Sequence, residues 1–264
     1  MSQSPPSAAQ ERTFREAFRS LGKRHAPPAQ GAFVTTPDPA FTLINGYAGL
    51  DFVVIDNEHS PLSPAEVAPH VIAAQAAGIL ALVRVGVNDA ARIQSFLDLG
   101  VSGVVVPKIE SAEEVRAGVA ATRYPPGGQR GMFPQGYAAS FGWTGWHIYK
   151  QRMRDGAVVI PIVETVAGLD RLDEIVAEDG VDAVFLGAGD LSEDMGVDIM
   201  DSRVGEAYEA ALTSCRKAGK LIVGTEYFGR DADFMMHQPE RSAYATLIGD
   251  AVKRVRTARQ EGTL

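Results

Sequence analysis

Apolar residues recur along the chain in short unbroken runs rather than in strict alternation. They are "GAFVTT" (31–36), "DFVVID" (51–56), "ILALVRV" (79–85), "GVVVPK" (103–108), "VVIPIVE" (158–164), "AVFLGAGD" (183–190), "LIVGTEY" (221–227) and "YATLIGD" (244–250). Successive β-branched and apolar positions are the pattern of strands buried on both faces. Between the runs lie amphipathic segments with helix signals. "SPAEVAPHVIAAQAAG" opens on Ser63 with Pro64 and Glu66 in its first turn and ends at Gly78. "SAEEVRAGVAATR" opens on Ser111, and "SRVGEAYEAALTSCRKAGK" stops near Gly219.

Eight strand-like runs alternating with helices predict an α/β fold of the (β/α)8 barrel type. A doubly wound open sheet is the weaker alternative, because no Gly-rich phosphate loop follows the first strand. "GGQRG" (127–131) is too short and misplaced for a nucleotide-binding fingerprint. No domain break is visible. Residues 1–12, with "MSQSPPSAAQE", read as a disordered lead-in, and 13–264 as one barrel domain. The long connection 124–157, rich in Gly, Pro and aromatics, predicts a functional lid or rim. Trp143, Trp146 and His147 in it suit a subunit contact as well as a substrate contact.

A barrel carries its chemistry at the carboxyl ends of its strands. There the second run ends in Asp56, followed by Glu58 and His59. Arg84 stands near the end of the third run, Lys108 ends the fourth, Glu164 the fifth and Asp190 the sixth, and Glu226 lies near the end of the seventh. The opposite ends begin mostly with Gly, Leu or Ala. A carboxylate after "VVIPIV" needs a cation or hydrogen bonds, so Glu164 predicts a metal or substrate contact, with a structural ion pair as the bland alternative. Asp190 is either an N-cap or a second ligand, and Gly187 and Gly189 leave room for a ligand beside it. Two carboxylates without a His or Cys cluster suit a hard divalent cation such as Mg²⁺. Asp56 is near enough in sequence to hold one nitrogen of the His59 ring and leave the other for proton transfer. Arg84, on an apolar strand, calls for a carboxylate or substrate-oxyanion partner. Lys108 suits an ion pair with Glu110 or, less simply, a Schiff base.

Composition narrows the partners. The 264 residues carry 45% hydrophobic and 22% charged side chains, enough apolar surface for a sizeable core. A net charge of −8 without a basic run argues against nucleic acid or an anionic membrane. No apolar stretch reaches membrane-spanning length, and no signal-peptide pattern opens the chain. The lone Cys215 reads as a helix-face residue and suits a reducing cytoplasm.

"GLDFVVIDNEHSPLS", "RVGVNDAARIQSFLDLGVSGVVVPKIESAEE", "RYPPGGQRGM" and "IVETVAGLDRLDEIVAEDGVDAVFLGAGDLSEDMG" together resemble the HpcH/HpaI aldolase family over about 31–250. The resemblance implies a class II pyruvate aldolase of the 4-hydroxy-2-oxoheptanedioate aldolase kind, cleaving or forming 4-hydroxy-2-oxo acids through a pyruvate enolate. It implies a divalent ion, Mg²⁺ or Mn²⁺ with Co²⁺ a further candidate, on Glu164 and Asp190. It places the base on His59, its supporting acid on Asp56, and a contact to the substrate carbonyl oxygen on Arg84. Glu58 falls beside the metal's waters, and the backbone at Gly189 and Asp190 falls at the substrate carboxylate. It also implies a homo-oligomer, a trimer or a hexamer of two trimers, with a C-terminal helix exchanged between subunits; "GDAVKRVRTARQ" is the segment that fits. The partners are then a small 2-oxo acid and an aldehyde.

Four departures stand against the family pattern: Ile162 for the usual Gln, "GAGDLS" for "GPADLS", Lys108 for an apolar residue, and an unusual continuation of the "RGM" loop. They leave open oxaloacetate decarboxylation or another pyruvate-enolate reaction, and more remotely a barrel that binds metal and oxo acid without turnover.

Overall fold

The computed structural model describes residues 12–23, 27–142 and 146–260. The expected lead-in falls almost wholly outside these residues, as does Trp143. The strands are β1 (Ala29–Val34), β2 (Phe52–Asp56), β3 (Leu80–Arg84), β4 (Gly103–Val106), β5 (Val158–Val163), β6 (Ala183–Leu186), β7 (Leu221–Thr225) and β8 (Phe234–His237). Each pairs in parallel with the next and β8 returns to β1, so the sheet closes into the expected (β/α)8 barrel. Every residue of β2, β4, β5 and β6 is buried, which is why those runs do not alternate. The expected helices form too, Pro64–Ala77, Ala112–Thr122 and Ser202–Ala218.

The barrel interior is packed, not hollow. Phe33, Val54, Val105, Ile160, Phe185, Val223 and Met236 point toward its axis. Gly31 makes room for this layer: a Cβ there would lie 2.3 Å from the Phe52 ring. At the amino-terminal end a helix not foreseen from the strand pattern, Phe14–Gly22, closes the barrel. Its Phe18 ring stacks on Phe234 with centroids 4.2 Å apart, and Arg15 and Arg19 both pair with the buried Asp182. A capping box between Thr13 and Glu16 starts this helix, and that pair is its sequence signal.

Two expectations change. The eighth strand is Phe234–His237, not the run at 244–250, which belongs to the helix Glu240–Gln260. Tyr244, Leu247, Ile248 and Val252 recur at helical spacing, and all four are exposed in the single chain. The connection 124–157 runs from the end of a helix to the start of β5, so it leaves the barrel at the amino-terminal end, away from the carboxyl rim. There Arg130 pairs with Asp98 at 2.8 Å, and the Tyr149 hydroxyl donates to the Leu97 carbonyl. It is not a lid over its own barrel's mouth, and Trp146 and His147 sit with it.

Candidate active site at the carboxyl end of the barrel

Strand parity explains which side chains reach the mouth. Side chains two positions apart share a strand face. Val54 and Ile160 line the interior, so Asp56 and Glu164 point inward from the next levels up. Arg84 stands beside Asp56 in register, on the neighbouring strand. Three charged residues therefore crown an apolar core.

The firmest contact is between Arg84 and Asp56. Arg84 Nε donates to Asp56 Oδ1 at 2.9 Å and Nη2 to Oδ2 at 2.7 Å, a two-pronged pair. The guanidinium also lies over the Phe33 ring, 4.5 Å from its centroid. Asp56 Oδ1 further accepts the backbone N–H groups of Glu58 and His59 at 3.0 and 3.3 Å. Burial pushes the Asp56 carboxyl up, but the hydrogen bonds and charge of Arg84 and the two N–H donors outweigh it and hold it below its ordinary range. The sequence expectation that Asp56 supports the His59 ring is not what the geometry shows. The Asp56 carboxylate holds the turn by accepting the Glu58 and His59 backbone N–H groups, and the His59 ring points outward with Nε2 at 3.6 Å from Glu58 Oε2. The cause is competition: Arg84 presents a fixed fork from the adjacent strand, and it takes both carboxylate oxygens.

Glu58 lies between these groups. Its Oε2 is 3.4 Å from Arg84 Nε, yet this buried oxygen accepts no hydrogen bond among the described residues. Burial raises its carboxyl above the ordinary range, against the pull of Arg84, His59 and Lys108.

Glu164 is 4% exposed. Its Oε1 accepts the Lys108 backbone N–H at 2.7 Å. Burial, with the neighbouring charges of Asp190 and Glu58, pushes its carboxyl up to about 7 against that hydrogen bond and Arg84. Gly187 forms the other wall, since a Cβ there would sit 2.5 Å from Glu164 Oε2 and 3.0 Å from Ile162. Ile162 thus presents an apolar surface beneath the carboxylate.

Asp190 is not on β6 but in the first turn of the helix Ala188–Asp194, whose N-cap is Gly187. It is exposed and its side chain makes no hydrogen bond or ion pair among the described residues, so it is not an N-cap. Lys108 is likewise unpaired, because Glu110 accepts the Thr165 hydroxyl at 2.9 Å instead. Glu226, near the end of β7, accepts from Gln238 and is exposed. Cys215 is buried, its thiol pushed up to about 12 by burial, in keeping with a helix-face residue.

The carboxyl mouth thus gathers Glu58, Glu164 and Asp190 around one clamped arginine. The model of the family described as HpcH/HpaI aldolase/citrate lyase matches residues 30–241. The chain belongs to this family. HpcH/HpaI relatives share sequence over much of its length. A 4-hydroxy-2-oxovalerate aldolase of Novosphingobium aromaticivorans is 30% identical over 88% of this chain and 92% of its own. A 2-dehydro-3,6-dideoxy-6-sulfogluconate aldolase of Pseudomonas putida is 38% identical over 66% and 67%. The crystal structure of an HpcH/HpaI aldolase from Desulfitobacterium hafniense DCB-2 superposes with a TM-score of 0.83 at 28% identity, covering 93% of this chain and 97% of that one. The resemblance read from the sequence is borne out, and with it the class of enzyme: an aldolase, a carbon–carbon lyase. No helix among the described residues is long and apolar enough to cross a membrane.

Proposed function

We propose that the protein is a divalent-metal-dependent aldolase that cleaves and forms 4-hydroxy-2-oxo acids, giving pyruvate and an aldehyde. The observation that carries this reading is the cluster of Glu58, Glu164 and Asp190, in which a buried oxygen of Glu58 accepts no hydrogen bond and Asp190 has no partner among the described residues. Glu164 and Asp190 would hold a hard dication as a two-carboxylate pair, with Glu58 as the further acid near it. No group of three or more His, Cys, Asp or Glu side chains among the described residues could by itself hold a metal ion. Mg²⁺ needs none, since it commonly takes one or two carboxylates and keeps water or substrate oxygens in its other positions. When bound, the ion supplies Lewis-acid stabilisation of charge on substrate oxygens.

The chain's own groups supply the rest. His59 takes the proton of the substrate's 4-hydroxyl. The C3–C4 electron pair passes into the oxo acid as the new aldehyde carbonyl forms. Asp56 occupies Nε and Nη2 of Arg84, while Nη1 makes no hydrogen bond among the described residues. That N–H group is placed to donate to the enolate oxygen as negative charge develops there. The enolate then takes a proton at C3 and leaves as pyruvate. The backbone at Gly189 and Asp190 receives the substrate carboxylate, at the open start of the helix Ala188–Asp194. Removing divalent ions with a chelator is expected to abolish pyruvate release from 4-hydroxy-2-oxopentanoate, and Mg²⁺ or Mn²⁺ to restore it. Full turnover by the stripped protein would overturn the reading.

The reading extends to assembly and setting. The helix Glu240–Gln260 buries none of its residues in the single chain and exposes Tyr244, Leu247, Ile248, Val252 and Val255. A stripe of that length without cover supports a homo-oligomer, trimer or hexamer, in which this helix packs on a neighbouring subunit. Light scattering is expected to give a mass of three or six chains, and a monomer would contradict it. The single buried thiol supports a reducing, cytoplasmic setting.

A further inference from the structure

We propose that Phe33 is a positioning residue for Arg84: its ring, lying against the guanidinium, sets where the free Nη1 group points. This rests on the aldolase reading above, in which that group meets the developing enolate oxygen. Arg84 stands on β3, yet its guanidinium reaches past β2 to lie 4.5 Å from the centroid of a ring on β1. Phe33 is level in register with Val54, two positions before Asp56, so the ring lies one layer beneath the Arg84–Asp56 pair. The apolar core packs against it, and Phe185 stacks beside it with centroids 6.2 Å apart. The ring is therefore held in place from its own side.

Asp56 alone does not fix Nη1. Its two oxygens hold Nε and Nη2 at 2.9 and 2.7 Å, and those two atoms form one edge of a planar group. The guanidinium can still tilt about that edge as a door does about its hinge, and Nη1, at the opposite corner, travels furthest. The Phe33 ring stands against the swing on one side, and its negative π face draws the cation onto it. Attraction on one side and contact at its limit give the tilt a defined minimum. A rival pull makes this necessary. Glu58 Oε2 lies 3.4 Å from Arg84 Nε and accepts no hydrogen bond among the described residues, so it offers the arginine a second carboxylate to turn toward. An aliphatic residue at 33 would fill the same layer without the electrostatic hold.

The test is a double-mutant cycle, read as kcat and KM for exchange of the pyruvate methyl protons with D₂O by the metal-loaded protein. Phe33→Leu is expected to lower kcat about tenfold, a rise of about 1.4 kcal/mol in the barrier, and to leave KM within about twofold. Phe33→Tyr, which keeps the π face, should keep most of the rate. In an Arg84→Lys background, where no fork is left to hinge, Phe33→Leu should cost less than about twofold. Phe33→Met is read in the same way and carries the test if the leucine variant does not fold. An unchanged kcat in Phe33→Leu overturns the inference. So does an equal loss in both backgrounds, which would show the ring acting by packing alone. A metal-loaded wild type that exchanges no methyl protons and releases no pyruvate from 4-hydroxy-2-oxopentanoate overturns the aldolase reading beneath it.

Discussion

Glu164→Gln is expected to lower kcat/KM by a factor on the order of 10³ and to make the metal-free protein more heat-stable above neutral pH. The two effects have one origin. Glu164 is a buried carboxylate beside Asp190 and Glu58, and only the Lys108 N–H among the hydrogen bonds favours its charge. Amide replacement keeps the shape and an acceptor oxygen for Lys108 but removes the charge proposed to hold the ion. For stability the sign follows from proton uptake. In the unfolded chain this carboxyl titrates near its ordinary value of 4.5, and in the folded protein near 7. The folded state therefore holds a proton that the unfolded state has lost across that interval. Its contribution is complete below about 4.5 and is lost as pH rises through about 7. Metal-free wild type should show a Tm that falls between pH 5 and 8, while the variant's curve is flatter. At pH 8 the variant should melt about 2–6 °C higher, corresponding to relief of roughly 1–2 kcal/mol in a chain of this size. Added Mn²⁺ should raise the wild-type Tm and leave the variant's in place. A variant that melts lower than metal-free wild type at pH 8 would show that the Glu164 charge is compensated by the protein itself.

Asp56→Asn is expected to lower kcat by about two orders of magnitude and stability by about 3 kcal/mol. Asn keeps an oxygen for the Glu58 and His59 N–H groups, so the turn survives. What it removes is the charge facing Arg84, whose side chain is only 14% exposed and whose nearest other carboxylate is Glu58 at 3.4 Å. Arg84 is then free to turn toward Glu58, and Nη1 leaves the direction set by the fork. A positioning role appears as a fall in kcat with a smaller change in KM, whereas loss of His59 support would appear as a shifted basic limb of the pH–rate profile. The clamp itself has a plain pH dependence. Because the folded-state carboxyl lies below its ordinary 3.8, its contribution is present above that value and lost only as pH falls below it. It therefore persists through neutral pH, where Glu164 is titrating.

The barrel was legible because burial on both faces leaves no polar gaps, and seven of the eight runs mark strands at the right places. The eighth failed for a definable reason. "FMMH" is a short segment between Asp233 and Gln238, and the stronger apolar signal beyond it belongs to a helix whose exposed stripe has no cover within one chain. Asp56, Arg84 and Glu164 were legible because each puts a charge on an otherwise apolar strand. The partner of Asp56 was not, since neighbours in sequence compete with neighbours across strands, and register is invisible until the sheet closes. Length alone gives the 124–157 loop the look of a lid. Its order, after a helix and before a strand, already assigns it to the amino-terminal end. The helix Phe14–Gly22 is hidden from the strand pattern because its two phenylalanines, four residues apart, lie outside the eight strand–helix units.

The central claim, a pyruvate enolate formed at Glu164, Asp190 and Arg84 with a divalent ion, is tested most directly by proton NMR of pyruvate in D₂O. Metal-loaded wild type is expected to exchange the methyl protons for deuterium without any aldehyde present. The exchange should stop on chelation, return with Mg²⁺ or Mn²⁺, and be lost in Glu164→Gln. Undiminished exchange by the chelated protein, with pyruvate trapped on Lys108 by borohydride, would contradict it and make the reaction a Schiff-base one.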